Sequence, residues 1–171
     1  MQIGIISDTH IRVNTDCTEL FKKIEHAFEG VDLIIHAGDI CDLSFLEHLE
    51  EIAPVEAVYG NSDGSKVRKQ LESVKILEIE GIKLCISHRK PSLSFLKQEG
   101  IKIVVTGHTH APKIEEHPEG ILFLNPGSMT RPRAPPIRKM YRKERPPLPS
   151  VLILNIDVEI SSAYIYSFKP D

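Results

Sequence analysis

The chain opens on a continuous apolar run, residues 2–7, that ends in Ser7-Asp8. Such a run suits a strand buried on both faces. Asp16 with Glu19 then reads as a helix start of the capping-box kind. Leu20, Phe21, Ile24, Ala27 and Phe28 follow at helical spacing, and Gly30 is placed to end the helix. Val31 to Ala37 predicts a second buried strand that runs into Gly38-Asp39. Leu43, Leu46 and Leu49 mark a short amphipathic helix that stops before Pro54, and 55–59 is a third strand ending at Gly60-Asn61.

After a polar, basic stretch, 76–79 and 82–86 flank Glu80-Gly81 as a hairpin. Ser92 caps a helix through about Glu99, Gly100 closes it, and 102–106 is a further buried strand. The remaining strands are expected at 113–116, 121–124, 151–157 and 163–168, separated by Pro and Gly turns. Strand and helix alternate in the first half and strands dominate the second. That pattern argues for an α/β core with more than one sheet.

Length changes the picture little. A chain of 171 residues fits a single domain, 1–171, with an ample core. A net charge of −3, with 41% apolar and 26% charged residues, gives no global pull toward nucleic acid or anionic membrane. Cys17, Cys41 and Cys85 are odd in number and far apart, which speaks against a disulfide framework or a CxxC metal knuckle. Nothing at the N-terminus reads as a signal peptide, and no segment is long enough to cross a bilayer, so a cytoplasmic location is expected. One local deviation stands out. Arg131 to Pro149 holds seven basic residues, one acid (Glu144) and six prolines, as in an exposed loop or protruding hairpin.

The candidate chemistry lies in five short islands, each just after an apolar run: Asp8-Thr9-His10, Gly38-Asp39, Gly60-Asn61, Ser87-His88 and Gly107-His108-Thr109-His110. In α/β sheets, ligands bind beyond the carboxyl ends of strands, so islands at strand ends can converge. Residues two apart on extended backbone point the same way, so Asp8 with His10, and His108 with His110, could each grip a cation from one side. Gly38, Gly60 and Gly107 precede ligand candidates where tight turns or close backbone approach are needed. Nitrogen and oxygen donors without thiolate suit manganese, iron, zinc, cobalt or nickel better than calcium. Each motif alone is weak, whereas five of them at strand ends in one small domain favour metal binding. His36, alternating within the strand that leads to Asp39, reads as a buried, hydrogen-bonded neighbour rather than a ligand. His26, His48 and His117 read as surface residues.

Taken together, Asp8-x-His10, Gly38-Asp39, Gly60-Asn61-Ser62-Asp63, His88, Gly107-His108-x-His110 and Asn125-Pro126-Gly127-Ser128 resemble the calcineurin-like metallophosphoesterase family. The likeness is specifically to its small YfcE-like phosphodiesterase branch, over roughly residues 2–168. The resemblance implies two facing mixed β-sheets flanked by helices, a metallo-dependent phosphatase-like sandwich. It also implies two divalent ions per chain, manganese first, with nickel, iron, cobalt and zinc as alternatives. Asp8, His10 and His110 would hold one ion; Asn61, His88 and His108 the other; Asp39 would bridge both. Asp39, Asn61 and His108 would position a metal-bridging hydroxide and the phosphate it attacks.

The expected activity is hydrolysis of a small phosphate ester, most of all a phosphodiester, with no covalent enzyme intermediate and possibilities for pairing as a homodimer. Nucleic acid is a less favoured substrate, and no membrane partner is expected. Two departures matter. Ser62 stands where the broader family carries a histidine thought to act as general acid, so good leaving groups should be preferred. Arg89-Lys90 follows His88, where relatives usually have glycine; the pair either steers phosphate or is solvated surface charge. The basic 131–145 stretch divides between substrate admission, nucleic-acid contact and a solvated loop. The alternative function is an inactive protein-interaction scaffold of the same fold, like the small retromer subunit, whose members lose one or more ligands. A serine hydrolase or a P-loop enzyme is disfavoured, because neither a G-x-S-x-G elbow nor a Walker spacing is present.

Overall fold

The computed structural model describes residues 1–12, 15–134, 146–157 and 162–169. Two five-stranded sheets face each other. The first has the order β10-β9-β1-β2-β3 and the second β4-β5-β6-β8-β7. In chain order the elements are β1 (Gln2–Ile6), α1 (Thr18–Ala27), β2 (Leu33–His36), α2 (Ser44–Glu50), β3 (Val55–Ala57) and α3 (Ser65–Gln70). There follow β4 (Val74–Ile79), β5 (Ile82–Ser87), α4 (Leu93–Glu99), β6 (Ile103–Val105), β7 (Lys113–His117), β8 (Ile121–Asn125), β9 (Ser150–Asn155) and β10 (Ser162–Ser167). β1, β2 and β3 run parallel, as do β5, β6 and β8, while β9, β10, β4 and β7 pair antiparallel with their neighbours. The sheets are therefore both mixed, as the family resemblance implies.

Strand alternation sorts the apolar residues into three layers. Ile3, Ile5, Leu33, Ile35, Leu84, Ile86, Ile103, Val105, Leu152 and Leu154 fill the space between the sheets. Ile6, Ile34, Val151 and Ile153 point the other way, under Ile24 and Phe28 of the α1 region and Phe45 and Leu49 of α2. Cys85, Val104, Ile121 and Phe123 do the same on the second sheet, beneath Leu96 of α4. Continuous apolar runs thus mark the strands covered on both faces.

Local signals explain most boundaries. The Ser92 hydroxyl accepts from the Phe95 amide to cap α4, and Gly100 closes that helix at φ 71°. Glu80 and Gly81, at φ 50° and 75°, make the two-residue turn between β4 and β5. The capping box expected at Asp16 does not form. Asp16 instead accepts from the amide and hydroxyl of Thr18, and Cys17 occupies the cap. α3 falls in the stretch read from sequence as merely polar and basic. Its one buried side chain is Val67, too little periodicity to reveal a helix. The basic Pro-rich stretch lies largely outside the described residues, since 135–145 are not among them.

Gly4 on β1 shows how tightly the helical layer sits, because a Cβ there would meet the Phe28 ring at 2.8 Å. Gly4→Ala is expected to destabilise the fold by about 1–3 kcal/mol through overpacking. Urea denaturation checks it, and Phe28→Leu in the same chain should recover part of the loss.

Candidate metal centre

The parallel strands of both sheets end at one rim, and the islands lie there. Asp8 follows β1, Asp39 follows β2, Asn61 follows β3, His88 follows β5 and His108 follows β6. Beyond their strands the first two loops keep running side by side. The amides of Asp8, His10 and Ile11 donate to the carbonyls of Gly38, Asp39 and Ile40 at 2.9–3.1 Å. The backbone is not extended through the motifs, however. Asp8, His10, Asp39, Cys41, His108 and His110 all lie at φ between 49° and 74°. The pairs therefore converge through alternate left-handed residues, not through strand geometry. Such residues cost of order 1 kcal/mol or more each, and they persist where surrounding contacts over-determine them.

Close backbone approach is the role of two glycines. A Cβ on Gly60 would collide with Asp39 and His88, and one on Gly107 would lie 2.7 Å from Asp8 Oδ2. A methyl at either place would displace the candidate ligands themselves.

Hydrogen-bond directions fix which atoms of the rim accept. His88 Nδ1 donates to the Ala37 carbonyl at 2.9 Å. In the neutral tautomer that leaves Nε2 as an acceptor, facing Asn61 Oδ1 at 3.1 Å and Asp39 Oδ2 at 3.4 Å. His110 Nδ1 likewise donates to the Arg131 carbonyl at 2.9 Å. Its Nε2 faces His10 Nε2 at 3.2 Å and Asp8 Oδ1 at 3.3 Å. The His88 locus thus gathers three acceptors around a point that suits positive charge, while at the second locus His10 Nε2 either donates to His110 Nε2 or joins it and Asp8 as a third acceptor, according to its tautomer. Asp39 Oδ2 lies between them, 3.7 Å from His10 Nε2. His108 stands beside His88, with ring centroids 5.3 Å apart, and its own ring is exposed at the rim. The donor set fits divalent cations: Asp8, His10 and His110 offer ligand atoms within 4.8 Å of one another, as do Asp8, Asp39 and His88.

The surrounding chain holds these atoms in place. Asp63 carried no role in the sequence reading, yet its buried carboxylate accepts from the amides of Asp39, Gly60 and Cys41 at 2.7–2.9 Å. It ties the Asp39 loop to the Asn61 loop. Arg68 of α3 then donates to the carbonyls of Asp63, Gly60 and Asn61 and stacks over Tyr59. Asp63 two residues after Asn61 was visible as a motif, but Arg68 carried no such signal. From the second sheet, the Asn125 amide donates to the Gly107 carbonyl, and Ser128 Oγ donates to the Asp8 carbonyl. These bonds give the Asn-Pro-Gly-Ser segment its place. His36 lies, as expected, beside the ligand loops: its Nδ1 accepts from the Gly38 amide and its Nε2 donates to Thr9 Oγ1.

Proton affinities follow from this packing. Burial raises the Asp8 carboxyl, against the hydrogen bond from Ser7. Burial also opposes ionisation of Asp39. Hydrogen bonds from His88 and from the amide and hydroxyl of Ser62 outweigh it and hold that carboxyl well below the usual range. His88 shows the mirror image: burial pulls its imidazole down, but Asp39 and the Ala37 carbonyl carry it upward. Burial lowers His10, with Arg131 and His110 adding to it against the pull of Asp39. Burial lowers His108 too, with the charges of His88 and Arg89 adding to it. A proton on His88 thus does in part what a cation would do at that locus.

The chain belongs to the calcineurin-like phosphoesterase superfamily, whose domain model matches residues 1–144. It is 40% identical over 144 residues to a probable metallophosphoesterase of Methanocaldococcus jannaschii, covering 79% of this chain and 71% of that one. A probable metallophosphoesterase of Methanothermobacter thermautotrophicus is 37% identical over 173 residues, covering 96% of this chain and 91% of the relative. Among solved structures, zinc-complexed Vps29 of Entamoeba histolytica superposes with a TM-score of 0.75 at 23% identity, covering 98% of this chain and 92% of that one. YfcE, a phosphoesterase from E. coli, gives 0.65 at 20% identity, covering 99% and 100%. The two structural likenesses show the same fold. The family uses divalent metals and hydrolyses phosphate esters.

Two outcomes are expected. Asp63→Asn leaves amides facing an amide nitrogen and should cost about 2–3 kcal/mol while weakening metal binding, both read by denaturation with and without added manganese. Burial pushes His36 down to about 3 from its ordinary 6.5, with the His88 charge adding to it. Because the folded value is depressed, the stability from neutral His36 is complete above the unfolded value and lost as pH falls toward 3. In metal-free protein, the stability gap between wild type and His36→Asn should therefore narrow by about 2–3 kcal/mol from about pH 7 to about pH 4. A constant gap would mean that His36 does not titrate in this way.

Proposed function

We propose that this protein is a dimetal-dependent phosphoesterase, acting foremost on small phosphodiesters. The observation that carries this reading is the pair of acceptor loci, one on each side of Asp39. Asp8, His10 and His110 would hold the first ion and Asn61, His88 and His108 the second, with Asp39 serving both. Manganese is the preferred metal, with nickel, iron, cobalt or zinc able to take its place. When bound, two divalent ions supply Lewis acidity and lower the pKa of water enough for attack on phosphorus at neutral pH.

The chain's own residues do the rest. Asp39 and Asp8 supply two negative charges against four positive ones, so the loaded centre keeps an excess for an anionic phosphoryl group. Asn61 and His108, on the exposed rim, position that group. Ser62 Oγ donates its proton to Asp39 Oδ2 at 2.8 Å, which commits the hydroxyl to orienting the carboxylate. It is a poor proton donor to a leaving group. Leaving groups that depart unprotonated are accordingly preferred, and a cytoplasmic enzyme with a small-molecule substrate is the setting that fits. Among the described residues, no helix is long and apolar enough to cross a membrane. Nucleic acid is the less favoured substrate.

A catalytically inactive scaffold is the second reading, favoured by the likeness to Vps29. Against it, all seven ligand positions are filled here. Since that neighbour is itself a zinc complex, metal binding alone does not separate the two; turnover does. Protein supplied with manganese should hydrolyse bis(p-nitrophenyl) phosphate, and a chelator should abolish the activity. Asp39→Asn should lower kcat/KM at least about a hundredfold, the equivalent of roughly 3 kcal/mol of transition-state stabilisation. Rates across aryl and alkyl diesters should fall steeply as the leaving group becomes more basic. No turnover with any of the five metals sinks the enzyme reading in favour of the scaffold.

A further inference from the structure

Beside the rim, on the His108 side, lies a cleft of about 240 Å³ whose charge the reaction described above does not use. Arg89, Lys90, His108, Thr109 and Lys113 stand around it, and Phe123 lines it as well. With about 30 Å³ as the share of one liquid water, the space takes a tetrahedral anion and a short linker. His108 and Gly107 line it, so it shares a wall with the candidate metal centre.

Its charge is one-sided. Three cations, Arg89, Lys90 and Lys113, face a single carboxylate, Glu115, which is engaged with Lys113 at 2.6 Å. The excess is therefore two positive charges. The neutral polar groups are already committed: the Asn125 amide donates to the Gly107 carbonyl and to the Thr106 and Thr109 hydroxyls. Thr109 Oγ1 in turn donates to the Ala111 carbonyl. The donors left for a ligand are the cationic ones.

Those cations are also held in place. Lys90 Nζ sits 3.9 Å above the Phe123 ring, and the ring is almost wholly buried. The Arg89 carbonyl accepts from the buried Ser87 hydroxyl at 2.8 Å, which fixes the backbone from which both side chains extend. Among the described residues, the Arg89 guanidinium has no hydrogen bond or ion pair to a carboxylate, and its charge is felt at His108. The larger hollow of about 320 Å³ on the opposite side, by contrast, sets Arg12 against Asp16 and Asp42 and has no such excess.

We propose that the cleft of Arg89 and Lys90 is an anion subsite that selects phosphodiesters whose second ester arm ends in another negative group. The proposal rests on the phosphodiesterase reading for its reaction, but not for its binding. It assigns the Arg89-Lys90 pair to substrate choice, where sequence alone left it between steering and solvated surface.

The test uses two p-nitrophenyl phosphodiesters with the same leaving group, the other arm being ethyl or 2-phosphonoethyl. In the manganese-loaded wild type the phosphonate arm should lower KM roughly tenfold or more, the effect of one or two charge-assisted hydrogen bonds. In the Arg89→Gln/Lys90→Gln variant the KM ratio of the two esters should fall to near one. A ratio that survives the substitutions overturns the subsite, because the metal centre would then be reading the phosphonate. So does a wild type with no preference. A second readout is independent of turnover: ethyl 2-phosphonoethyl phosphate, a poor substrate, is titrated while the amide resonances of Arg89, Lys90 and Thr109 are followed. Saturable shifts in wild type, weakened about tenfold in the variant, support the subsite even if neither ester is hydrolysed. Turnover without those shifts removes the subsite and leaves the enzyme reading standing.

Discussion

The structure turns on acceptors brought face to face. His88 Nε2, Asn61 Oδ1 and Asp39 Oδ2 converge at 3.1–3.4 Å, and each has its own proton-donating side committed elsewhere or none to offer. Lone pairs at that separation repel unless positive charge stands between them. A proton on His88 relieves one locus in part, and a divalent ion relieves it fully. Around His110 Nε2, Asp8 Oδ1 and His10 Nε2 come as close, at 3.3 and 3.2 Å. Everything else at the rim can be understood as the means of enforcing this unfavourable approach.

The means are mostly backbone. Six non-glycine residues in left-handed conformation, two glycines without room for a methyl, and a buried Asp63 gathering three amides together set the loop shapes. Five of the six left-handed residues are themselves ligand candidates, whereas Cys41, the glycines and Asp63 serve only to shape the loops. Their cost is met by the two sheets, whose interlocked apolar layers fix where the strands end. A site built at the ends of parallel strands inherits the rigidity of both sheets.

Function follows from the imbalance of charge. On the proposed reading, two buried carboxylates with four imidazoles and an amide would leave a doubly loaded centre with a cationic surplus, which suits phosphate esters. Ser62 donates to Asp39 and so orients the carboxylate. The proposed anion cleft alongside would give a route to substrate choice that does not depend on the leaving group.

Much of this was legible in the residues. Continuous apolar runs, helical spacing in 20–28, the Ser92 cap and Gly100 fixed most elements, because local patterning dictates which faces are buried. The islands Asp8-x-His10 to His108-x-His110 pointed to one rim, since few other reasons place such side chains after buried strands. Tertiary structure alone decided how they meet. The sequence argument for Asp8 with His10 assumed extended backbone, whereas left-handed turns do the work, and no pattern of residue types encodes φ. Arg68 and α3 stayed invisible because a lone Val67 gives no period. That Lys90 would lie on Phe123, or that Arg89 would border His108, depends on residues far apart in the chain folding onto one rim, and only the packing of the two sheets could settle it.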